Sequence, residues 1–237
     1  RNTVQHELFK LCYPMNRKVI RKLQFLSGFV LFLGGLWFLW DTPLIYPLKI
    51  FVVLLHEISH GIAALATGGS IERITLDAEQ GGACYCSGGN AFLTLSAGYL
   101  GSLLWGGLIF SVARMKRVNT GWINSLIGIA VIVLSLMYIR SDFGLVFGLV
   151  FGVTLFFAAQ KTGPAMNRGV LFVLGLTSAL YAILDIKGDV LDRPEALSDA
   201  RMLADLTGIP ALVWGIAWIS IAIIYSLWLL YGAYEEA

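Results

Sequence analysis

Seven stretches of this chain are apolar for long enough to cross a bilayer, and a chain written that way folds as a bundle of membrane helices. They run from Leu23 to Trp40, Leu48 to Thr67, Ala91 to Ala113, Trp122 to Ile139, Phe143 to Gln160, Gly169 to Asp185, and Pro210 to Tyr231. A composition of 57% hydrophobic and 14% charged residues over 237 positions agrees, being far outside soluble globular usage. The expected fold is an all-α polytopic membrane protein, with a basic N-terminal segment over 1–22 and a single multi-spanning domain over 23–237. The first apolar stretch follows basic residues as a signal peptide would. Trp40-Asp41-Thr42-Pro43 is no small-residue cleavage site, however, so the stretch reads as an uncleaved span. A net charge of +2 gives no reason to expect a nucleic-acid partner.

Between the second and third spans the helical pattern breaks. Gly68-Gly69, Gly81-Gly82 and Gly88-Gly89 punctuate a run containing Ile71, Ile74, Thr75, Leu76 and Tyr85, which predicts a hairpin turning at Gly81-Gly82 or an irregular loop. A hairpin with a free edge beside the second span could take up an extended peptide by strand addition. In the fifth span Gly144, Gly148 and Gly152 recur every four residues and predict close approach of another helix. The most charged part, Ile186 to Ile209, contains a short helix over Ser198 to Leu206, stopped by Gly208 and Pro210. Alternation of crossings places the N-terminus, the hairpin, the Arg140 to Asp142 turn and this acidic loop on one side.

The second span holds His56-Glu57-Ile58-Ser59-His60, an H-E-x-x-H pentapeptide. On a helix, residues four apart share a face, so both imidazoles can grip one metal ion, zinc by default, with Glu57 close to its bound water. A mid-membrane acid costs roughly 2.5–3.5 kcal/mol on insertion scales, which is why intramembrane ionisable groups signal function. Catalytic zinc takes three protein ligands and keeps one open position. The remaining histidine, His6, precedes the first span and is a poor partner, leaving carboxylates. Asp185 ranks first because it ends an apolar span on the expected side. Asp189 is second, able to orient a histidine N–H from behind if Asp185 binds metal. Asp142 is third. The cysteines Cys12, Cys84 and Cys86 form no disulfide framework or zinc ribbon; Cys84 and Cys86 would share a strand face, as a metal or redox pair or as small buried residues.

Taken together, these blocks resemble the site-2 protease family of intramembrane zinc metallopeptidases, and most closely its B-like branch. His56-Glu57-Ile58-Ser59-His60-Gly61 is similar to the metal motif, Glu79-Gln80-Gly81-Gly82 to the glycine turn after it, and Ala97-Gly98-Tyr99-Leu100-Gly101-Ser102 to the third-span motif. Leu184-Asp185-Ile186 and Ser198-Asp199-Ala200 are similar to the late acidic motifs. Better-known members carry Gly-Pro and then asparagine in the third span and an Asp-Gly pair as third ligand. Here Tyr99 stands for the proline, no asparagine follows, and Ile186 follows Asp185.

The resemblance implies a zinc metalloendopeptidase that hydrolyses peptide bonds in membrane-spanning or membrane-proximal segments. Zinc-bound water would be activated by Glu57, with metal on His56, His60 and Asp185, and with the bilayer and a membrane protein or peptide substrate as partners. A catalytically inactive pseudoprotease that binds transmembrane partners is the alternative, against which the retained Glu57 speaks. An ion transporter would require ionisable residues deep in several spans, and only the second clearly has them.

Overall fold

The computed structural model describes residues 16–40, 42–193 and 197–236. His6, Lys10 and Cys12 in the basic segment, together with Asp41, lie outside them. Among the described residues, seven helices are long and apolar enough to cross a membrane. They are α1 (Arg17–Leu39), α2 (Tyr46–Ala66), α3 (Ala91–Arg114), α4 (Thr120–Tyr138), α5 (Asp142–Lys161), α6 (Pro164–Lys187, continued by a π-helical turn over Gly188–Asp192) and α8 (Ala211–Glu236). A short helix, α7 (Asp199–Thr207), and two strands, β1 (Ser70–Leu76) and β2 (Gly82–Ser87), are the other elements among the described residues of this all-α polytopic membrane protein.

Helix ends follow local chemistry. The side-chain oxygens of Asn16, Asn90 and Asn119 accept backbone N–H groups at the starts of α1, α3 and α4. Helix α6 begins five residues before the expected Gly169, because Pro164 occupies its first turn, where the missing N–H has no partner to lose.

Small residues let the helices touch backbone to backbone. A Cβ at Gly106 of α3 would lie 2.8 Å from the Gly175 carbonyl oxygen and collide with the Ala179 amide, and one at Gly175 would collide with the Phe110 amide. Gly106→Val therefore forces α3 and α6 apart. Overpacking of this kind costs about 1–3 kcal/mol, and a lowered unfolding temperature in detergent is the expected reading. The Gly144, Gly148, Gly152 face is likewise covered: Ser135 fills the space at Gly148, and a Cβ at Gly152 would meet the Gly128 carbonyl oxygen at 2.7 Å.

The segment after α2 is a hairpin. Leu76 pairs with Gly82 and Ile74 with Cys84, so Gly82 belongs to the strand and the turn is Asp77–Gly81 rather than Gly81-Gly82. Asp77 Oδ1 accepts the Gly81 N–H at 2.7 Å, and Gln80 takes the left-handed φ of 69°. Strand β1 is held from its outer side, where the Arg140 N–H donates to the Ile74 carbonyl at 2.9 Å and Ser141 Oγ both accepts from and donates to the Leu76 backbone. The hairpin and the Arg140 turn thus share one end of the bundle, as alternation predicts.

The start of α1 does not follow the same rule. Lys22, near the start of α1, pairs with Glu235 at the end of α8 at 2.8 Å, and Phe25 packs with Phe110, Leu229 and Ala233. Helix α2 explains this departure. Its first residue, Tyr46, donates to the Ala78 carbonyl at the hairpin tip, while Gly61 near its end faces Ile71 and Cys84. Helix α2 runs alongside the hairpin, so counting it as one simple crossing misplaces what comes before it.

Candidate metal centre

Helix α2 is buried along most of its length, and His56, Glu57 and His60 are all buried within it. One helical turn separates the two imidazoles, whose ring centroids are 4.8 Å apart. His60 Nδ1 lies 2.6 Å from the Thr94 carbonyl oxygen. A carbonyl can only accept, so that nitrogen carries the proton and the lone pair of His60 sits on Nε2.

Both Nε2 atoms point at one oxygen. Asp199 Oδ2 is 3.0 Å from His56 Nε2 and 3.2 Å from His60 Nε2. Donors about 2.0–2.1 Å from a tetrahedral zinc lie roughly 3.3 Å from one another, so this spacing suits such an ion. Among the described residues, His56, His60 and Asp199 are the group able to share a metal.

Asp185, the aspartate expected as third ligand, lies beside His56, whereas Asp199 is the aspartate whose carboxylate reaches both Nε2 atoms. Asp185 Oδ2 lies 3.6 Å from His56 Nδ1, the ring nitrogen turned away from the cluster, beyond hydrogen-bond length. Asp189 is engaged elsewhere, accepting from Tyr99 Oη at 2.7 Å and from the Arg193 guanidinium at 2.7 Å. Asp142 is exposed in the first turn of α5.

Asp199 arrives because α7 folds back onto α3. Ser198 caps α7, its Oγ accepting the Arg201 N–H, which makes Asp199 the first helical residue. Ala200 and Leu203 are fully buried in a cluster with Tyr99, Ile186, Val190 and Trp218. The usable sequence signal was Ser198-Asp199 opening a short amphipathic helix, a pair already similar to a family motif.

Helix α3 supplies the floor. A Cβ at Gly98 would collide with Nε2 of both histidines, and one at Gly101 with Ser59. Only bare backbone fits there. Tyr99, beside Gly98, sets its ring edge-on to His56 at 4.8 Å and reaches Asp189 with its hydroxyl, tying α3 to the π-helical end of α6.

Glu57 faces the hairpin. A Cβ on Gly82 would stand 2.8 Å from Glu57 Oε1, so the start of β2 lies against that carboxylate. Because Ile74, opposite Cys84, turns its carbonyl toward Arg140, the Cys84 N–H points away from β1. The outer edge of β2 therefore borders Glu57.

No curated protein and no solved structure matches this chain. The profile of the family described as Peptidase M50B-like matches residues 29–229, from within α1 to within α8. That match covers most of the chain and includes His56, Glu57, His60, Asp185, Asp189 and Asp199, so the chain belongs to the Peptidase M50B-like family, as its likeness to site-2 proteases led us to expect.

Proposed function

We propose that this protein is an intramembrane zinc metalloprotease that cuts membrane-spanning or membrane-proximal segments presented in extended form. The observation that carries the reading is the convergence of two imidazole nitrogens and one carboxylate oxygen, at 3.0 and 3.2 Å, one residue along the helix from a buried glutamate. His56, His60 and Asp199 would hold the zinc. When bound, it supplies a polarising charge for the scissile carbonyl and acidifies a water to a pKa of about 7.

The chain's own groups do the rest. Glu57 takes a proton from the attacking water and returns it to the leaving amine. Thr94, through its carbonyl, keeps the His60 proton on Nδ1. Asp185, 3.6 Å from the other nitrogen of His56, sets a carboxylate behind that ring that would favour a proton on Nδ1 and leave Nε2 free for the metal. The outer edge of β2 offers backbone donors and acceptors beside Glu57, so an extended substrate can pair with it as an added strand. Extension matters because a helical peptide bond is hidden by its own hydrogen bonding.

The purified protein should carry one zinc per chain by elemental mass spectrometry, and His60→Ala should lose it. A full complement of zinc in that variant would sink the reading. Asp185→Asn should weaken metal affinity or activity by about 10–100-fold, the usual cost of losing an outer partner.

A further inference from the structure

Strand β2 carries a pair of sulfur groups that hydrolysis leaves unused. Cys84 and Cys86 are two apart on the strand and point to the same face, with Sγ atoms 2.9 Å apart. Both are half-buried free thiols. Cys84 packs beside Ile71 and Gly61 of the neighbouring elements, whereas Cys86 lies two pairs nearer the open root of the hairpin. Burial pushes both thiols up, so at neutral pH each is a protonated and slow nucleophile.

We propose that Cys84 and Cys86 are a redox-active dithiol that closes into an intrachain disulfide by exchange with a small-molecule disulfide of the glutathione type. One cysteine thiolate attacks a sulfur of the small disulfide, the S–S bond breaks, and one small thiolate leaves and takes up the proton given up by the protein. The second cysteine then attacks the mixed disulfide, expelling the other small thiolate, which takes up the second proton. Two electrons pass from the protein to the small molecule, and one disulfide is exchanged for another.

Proximity decides the outcome. The first step is slow because the thiols are protonated, but the second is intramolecular between atoms already in contact, so the mixed disulfide is resolved before a second adduct can form. Residues two apart on a strand are about 6.6 Å apart at Cα, near the upper limit that a disulfide spans. The closed form is therefore strained and easily reduced, which makes the change reversible.

The test uses the full chain in detergent, oxidised glutathione as the probe, and mass spectrometry after alkylation. The reduced protein should alkylate at all three of its cysteines. After oxidation, the peptide holding Cys84 and Cys86 should lose both alkylation sites, carry no glutathione, and regain both on treatment with dithiothreitol. Cys84→Ser should instead accumulate one glutathione on Cys86. Two separate adducts on the wild-type peptide, or two thiols that remain alkylatable, would overturn the proposal. The readout needs neither metal nor turnover, so it stands or falls apart from the proteolytic reading.

Discussion

Replacing Glu57 with glutamine lowers cleavage of a co-expressed membrane substrate by about 10²–10⁴-fold, the range that a positioned acid–base group contributes, while zinc stays bound. The amide keeps the volume of the carboxylate and can still occupy the space between α2 and Gly82, so folding and metal content serve as internal controls. What it cannot do is take a proton from water. Cleavage that persists unchanged in this variant would remove Glu57 from the chemistry. Cleavage absent from the wild type as well, with zinc present, would favour a protein that binds transmembrane partners without cutting them.

Asp199→Ala has the second large effect. Removing one of three ligands should weaken zinc binding by more than the roughly 10–100-fold expected for an outer partner such as Asp185, and activity should fall with occupancy. The contrast between the two aspartates is the informative quantity. Both are close to His56, at 3.0 Å from one ring nitrogen and 3.6 Å from the other, so each variant disturbs the same imidazole. Only Asp199 also faces His60. Zinc titrations should therefore rank Asp199→Ala well below Asp185→Ala; the reverse order would return the third position to Asp185.

The long apolar spans and the H-E-x-x-H face were legible in the sequence because each depends on local spacing, and the glycine face of α5 was legible for the same reason. The carboxylate that reaches both histidines was not, because Asp199 meets His56 across 143 residues of chain and is carried there by a helix too short and polar to read as part of a membrane core. Asp185 was the natural choice from depth alone. It does end beside the site, on the Nδ1 side of the His56 ring, whereas Asp199 reaches both Nε2 atoms, a distinction that no spacing in the sequence carries. The hairpin turn was displaced because Gly81-Gly82 is a turn signal in isolation, whereas the Asp77 side chain closes a loop over Asp77–Gly81 and leaves Gly82 in the strand. Alternation failed at α1 because α2 lies along the hairpin.

Helix α7 spans nine residues, too few to be stable by itself, and is fastened to the bundle through Ala200 and Leu203. If Asp199 closes the coordination sphere, the residence time of the ion is set by how often this small clasp lifts, not by any parting of the bilayer-crossing helices. Trimming Leu203 to alanine should then quicken stripping by a chelator although every donor atom is retained, so that exchange of the metal and integrity of the bundle become separately adjustable.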